Sequence, residues 1–156
     1  MKKIAMTLAL LSTGLLAGAF YYGTLTLIPS YYEVPLDVHL KSRVALMNHN
    51  AVYMQLLTLI AIISPVWFAI VYKHIRAIKN YAIAAAMAAL ISIIITRFGN
   101  VPINQLMRKW DATGAPANWS GILNKWNLYN YVRTAFAFVS FLLVVIAAQY
   151  RRTVGQ

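Results

Sequence analysis

AVYMQLLTLIAIISPVWFAIVY, residues 51–72, carries no charged side chain between Asn50 and Lys73. About 20 consecutive apolar residues are what a helix needs to cross a ~30 Å hydrocarbon layer. Working outward, Leu8 to Ile28, Tyr81 to Ile95 and Ala135 to Ala148 are three further apolar runs that reach, or with their flanks nearly reach, that length. The expectation is an all-α, single-domain chain: a four-helix transmembrane bundle with spans at about 4–28, 50–72, 80–98 and 131–150. Two long extracytoplasmic loops, Pro29 to His49 and Phe98 to Asn130, then join the spans in pairs.

Composition agrees with a membrane chain. Hydrophobic residues make up 61% and charged residues 11%, against ~45–50% and ~25% in soluble proteins. The net charge of +11 does not imply nucleic acid, because its placement follows topology. Lys2, Lys3, Lys73, Arg76, Lys79, Arg151 and Arg152 sit in the two termini and the short middle loop, which four spans put on one side. By the positive-inside bias that side is cytoplasmic. In the first long loop Glu33 and Asp37 balance Lys41 and Arg43. The reading is an integral protein of a bacterial inner membrane, with membrane lipids as its standing partners.

Lys2 and Lys3, the apolar stretch and Ala17-Gly18-Ala19 resemble a secretory signal. The stretch runs on through Phe20 to Ile28, longer than a signal core, so it is expected to stay as the first span. Gly14-xxx-Gly18 is a spacing that lets a second helix approach closely. The alanines from Ala82 to Ala89 answer it, which points to contact between the first and third helices. A homodimer face is the competing reading of the same motif. With no cysteine there is no disulfide or thiolate metal site.

The second loop holds most of the chemistry. Trp110, Trp119 and Trp126 supply flat apolar walls for an aromatic ligand, and Asn100, Asn104 and Asn130 supply amides around them. Arg97 ends the third span and Arg133 opens the fourth. Guanidinium groups near hydrocarbon either snorkel to headgroups or serve a function. His49, at the outer end of the second span, is a candidate general base. The expectation is that His49, Arg97 and Arg133 converge on one pocket as catalytic residues. His39 and His49 form no metal-ligand spacing, and no histidine falls at the centre of a span. A metal or haem site is therefore the weakest reading, and no cofactor is assigned.

Taken together, Asn100-Val101-Pro102-Ile103-Asn104, Trp110-Asp111, Pro116-Ala117-Asn118-Trp119, Lys125-Trp126 and Arg133-Thr134 resemble the signature of the anthrone oxygenase-like membrane proteins. Most members of that family are known only as a domain of unknown function. The resemblance covers the last third closely and the four-span layout throughout. It implies a small integral membrane protein that acts on a hydrophobic phenolic or quinone-type substrate with molecular oxygen, without a well-established cofactor. Members often carry a histidine three residues before the arginine, where this chain has Asn130. The alternative is a non-catalytic membrane module that binds a lipid, a quinone or a partner protein through the same loops. The weaker alternative is a redox subunit bearing a metal or haem.

A reporter that works only in the cytosol, fused after Gln156, should be active. Activity from a reporter that requires export would reverse the topology.

Overall fold

The computed structural model describes residues 1–154, apart from the side chains of Asp111 and Ala112 and of residues 151–154. The side chains of Asp111, Arg151 and Arg152, all used in the sequence reading, therefore lie outside the described residues. Four helices are each long and apolar enough to cross a membrane. They are α1 (Lys2–Tyr31), α2 (Leu36–Val71), α3 (Arg76–Trp110, running on to Thr113) and α4 (Trp119–Val154). In the ring they form, α1 and α3 each pack on both α2 and α4. The end that carries Lys2 and the turn after Val71 is called terminal below, and the opposite end distal.

The four-helix bundle is as the hydropathy requires, but the segments between the spans are different. The two stretches expected as long loops are mostly helix. Only 32–35 and 114–118 break it. At 1.5 Å per residue the 36 residues of α2 run ~54 Å, well beyond the ~30 Å of hydrocarbon. The surplus is the polar first part of α2, facing the polar ends of α3 and α4. Buried Ile103, Met107 and Trp110 recur at helical spacing and pack on Leu40 and Leu123, with Leu36, Met47, Trp119, Ile122 and Trp126 around them. A stripe of this kind buries one side of a helix whose other side is wet.

The breaks have local causes. Pro35 caps α2 in an extended conformation, and Asp37 in the first turn complements the positive end of the helix. Gly114 closes α3 at φ 76°, a conformation that costs other residues a clash between Cβ and the backbone.

Two prolines act differently. Pro29 and Pro102 lie inside long helices, where the ring should clash with the carbonyl four residues back. In both cases the helix widens first, into π turns at Gly23–Leu27 and Thr96–Asn100. The residue before each proline, Ile28 or Val101, donates its amide to the carbonyl five residues back, on Gly23 or Thr96.

Small residues close the terminal half. Ala5 and Ala9 of α1 and Ala82 and Ala85 of α3 belong to one core with Phe68, Ile78, Val144 and Ala147, which lie on the helices between them or on α3 itself. The Gly14/Gly18 spacing does not form the expected contact with α3. A Cβ at Gly14 would stand 3.1 Å from the ring of Phe141 on α4, and one at Gly18 would meet nothing within 4 Å. Ser12 of α1 and Ser64 of α2 share a buried hydrogen bond of 2.7 Å.

Gly99, in the second π turn, backs onto Tyr129, where a Cβ would lie 2.6 Å from the first ring carbon. That atom is one bond from the tyrosine's own Cβ, so relief needs a change of the whole ring's rotamer or a shift of α4. Gly99→Ala should therefore destabilise the purified protein by about 1–3 kcal/mol, read as a lower melting temperature in detergent. Gly18→Ala, with open space around it, should be neutral or mildly stabilising.

Candidate functional site

The site grows from the widened turns. A π turn shifts the side chains that follow it around the helix, and such turns are frequent at functional sites. Here Thr24 lies in the first, and Thr96 and Asn100 open and close the second, all three against one face of α4. That face carries Trp126, Asn127, Asn130, Arg133 and Thr134, at spacings of three and four residues. Its opposite wall is the distal part of α2, with His39 and Arg43 one turn apart.

Arg133 is held by Asn130. Both Nε, at 2.9 Å, and Nη2 donate to Asn130 Oδ1, and Nη1 donates to Thr96 Oγ1 at 3.3 Å. Asn130 is 2% exposed. Its Nδ2 donates to Thr24 Oγ1 at 2.7 Å, and that hydroxyl pairs with Thr134 Oγ1 at 2.9 Å. The guanidinium also lies 4.4 Å from the ring centre of Phe20.

Arg43 is 3% exposed. Its Nε donates to His39 Nε2 at 2.7 Å and its Nη2 to Asn127 Oδ1 at 3.4 Å. An Nε2 that accepts cannot carry a proton, so His39 is neutral in this arrangement. Asn127 Nδ2 in turn donates to Tyr32 Oη at 2.8 Å. The guanidinium sits between two rings, 4.8 Å from Tyr31 and 4.7 Å from Trp126. Arg43 Nη1 is buried without a hydrogen-bond partner, and so is Asn100 Oδ1.

Trp126 joins the two halves. It lies 4.7 Å from Arg43 and 5.9 Å from Arg133. Asn104 Oδ1 accepts from its Nε1 at 2.6 Å, and Asn100 Nδ2 donates to its carbonyl at 3.1 Å. The indole is thus held at Nε1 and its backbone at the carbonyl, with two guanidinium groups no more than 5.9 Å from the ring centre. Trp110 is buried, and Trp119 packs beside it with its ring edge-on to His39.

Of the residues expected to converge, Arg133, Asn100, Asn104, Trp126 and Asn130 do so in one bonded network, and Trp110 and Trp119 stand behind it. Arg97 and His49 do not join it. Both are exposed and make none of its hydrogen bonds or ring contacts among the described residues. The reason is helical phase: six residues past Arg43, His49 points roughly 120° away around α2. Arg97 is turned away by the same logic: Thr96, one residue before it, is the one that faces Arg133. The sequence reading missed Arg43, His39 and Asn127. The signal was present in Leu36, His39, Leu40, Arg43 and Met47, a helical stripe concealed by reading the segment as a loop.

The electrostatics are one-sided. Among the described residues no carboxylate pairs with Arg43 or Arg133, and no three His, Asp or Glu side chains gather to hold a metal ion. The arrangement offers cationic donors and flat rings, a chemistry suited to the oxygen of an aromatic anion.

A family model described as anthrone oxygenase matches residues 44–143. The match takes in Trp126, Asn130 and Arg133 and begins just after Arg43. No curated protein and no solved structure matches the chain.

Asn130→Asp should give Arg133 the counter-charge it lacks while Thr24 turns its hydroxyl to donate. Charged hydrogen bonds exceed neutral ones by about 1 kcal/mol, so the variant should melt a few degrees higher than the parent. A lower melting temperature would mean that Arg133 is already neutralised by another group.

Proposed function

The chain belongs to the anthrone oxygenase family, and on that premise we propose that it is a membrane-embedded oxygenase-like protein acting on a hydrophobic phenolic or quinone-type substrate with molecular oxygen. One observation carries the reading: two arginines share the indole of Trp126, and one of them keeps a buried donor, Arg43 Nη1, without a partner. An uncompensated cation at this depth costs several kcal/mol. A ligand that brings its own negative oxygen removes the cost.

The chemistry follows from that oxygen. In an anthrone-type ring system the CH₂ opposite the carbonyl loses a proton to water, and its electron pair delocalises onto the oxygen as an enolate. Arg43 and Arg133 stabilise that anion electrostatically, in the manner of an oxyanion hole. Trp126 packs against the ring, Asn100 and Asn104 hold Trp126, and Asn130 aims Arg133. Dioxygen accepts electrons from the carbanion and forms a C–O bond, giving a hydroperoxide after protonation. Loss of water from the hydroperoxide leaves the second carbonyl. The balance is CH₂ plus O₂ to C=O plus H₂O.

A second reading has support in the same network. His39 Nε2 is occupied by Arg43, His49 stands apart, and Asn130 occupies the position where relatives often have histidine. A site that stabilises an anion without a general base also fits a membrane module that binds a quinone or phenol and leaves it unchanged. Asn130 Oδ1 receives two donors from Arg133, whereas one imidazole nitrogen has a single lone pair. The amide therefore suits holding the arginine better than moving a proton.

The deciding experiment is oxygen uptake by purified protein with a hydroxylated anthrone in detergent. The oxygenase reading expects one O₂ consumed per quinone formed. Arg133→Leu should slow this by on the order of 10²-fold, with the folded state retained. Uptake no faster than in detergent alone, with the compound still bound, would replace the enzyme by the binding module.

A further inference from the structure

The terminal end carries an open recess, apart from the arginine network. A groove of about 190 Å³ opens between α2 and α3, lined by Val66, Ala69, Ile70 and Lys73 on one side and Lys79 and Ile83 on the other. The lining positions recur at three and four residues on each helix, so each contributes one continuous ridge. Val66, Ile70 and Ile83 are 41%, 62% and 42% exposed. The two lysines stand at the terminal mouth of the groove, one just past the end of α2 and one in the first turn of α3.

We propose that this groove binds one anionic phospholipid, with its phosphate against Lys73 and Lys79 and an acyl chain along Val66, Ile70 and Ile83. Charge decides the headgroup. Lys2, Lys3, Lys73, Arg76 and Lys79 share this end, whereas Glu33, Asp37 and Asp111, the chain's acidic residues, all belong to the distal segments. Lys2 is held outside the groove, over the ring of Tyr72 at 5.7 Å from its centre, and does not line it. The first turn of α3 has no side-chain cap, so its free amides and positive dipole also favour a phosphate. A zwitterionic lipid would bring its own ammonium among these cations and lose most of the attraction. Shape decides the rest: the walls below the lysines are aliphatic and match an acyl chain rather than a soluble anion. Basic recesses between helices at a membrane surface hold acidic headgroups on the same physical grounds.

Native mass spectrometry of the full chain, with an equimolar mixture of phosphatidylglycerol and phosphatidylcholine, tests this. The parent should retain one phosphatidylglycerol in preference to phosphatidylcholine. Lys73→Gln with Lys79→Gln should cut that preference about 30-fold, at about fivefold per lysine. Ile83→Trp, which fills the acyl slot and leaves both lysines, should lose the bound lipid as well. Lys2→Gln with Lys3→Gln should keep it. Equal loss in that control would reduce the effect to diffuse attraction and overturn the site. Displacement by millimolar inorganic phosphate would make it an ion site, and a dimer lost on filling the groove would make the occupant a second copy. Either result overturns the lipid assignment.

Discussion

Two guanidinium groups on one indole, with no carboxylate among the described residues to balance them, form the constraint on which the distal half depends. A buried cation is tolerated only when its donors are satisfied and its charge is spread over polarisable neighbours. Amide oxygens, a hydroxyl, an imidazole nitrogen and aromatic faces do that here for every guanidinium donor but Arg43 Nη1. Asn130 and Thr96 serve Arg133, and His39 and Asn127 serve Arg43. Every one of these partners is neutral. Charge therefore remains in the network, and the reading of function rests on that surplus.

Placing those partners requires the unusual backbone. A regular α-helix through Pro29 or Pro102 would set a ring against a carbonyl one turn back. Widening to a π turn avoids the clash, and the widened turns carry Thr24, Thr96 and Asn100, which bond to α4. Gly99 lets Tyr129 approach at the same level. Both prolines thus act on the site from outside it. The terminal half needs no such device, because alanines and a pair of serines pack it closely without charge.

The transmembrane count and the all-helical class were legible because hydropathy alone determines which segments can reside in hydrocarbon. Hydropathy reports solvent, not backbone. The polar stretches 36–49 and 101–130 were therefore read as loops, although Ile103, Met107 and Trp110 already repeat at a helical period. Trp126, Asn130 and Arg133 were legible as a group, since they are close in sequence on one helix. Arg43 was not: in the sequence its charge is balanced by Glu33 and Asp37, and only the fold brings it 84 residues across to Asn127. His49 and Arg97 were chosen by level along the membrane normal, a criterion that ignores which way around the helix a side chain points.

The preference of a cationic site for the negative form of a phenol can be measured without any turnover. A chromophoric phenol bound to the protein would be titrated by its phenolate absorption, beside the same phenol in empty detergent micelles. Two unpaired arginines should lower the apparent phenol pKa by at least about one unit, since one unit corresponds to ~1.4 kcal/mol of preference for the anion. An unchanged or raised value, with binding confirmed, would mean that apolar burial outweighs the guanidinium groups, and would contradict the claim.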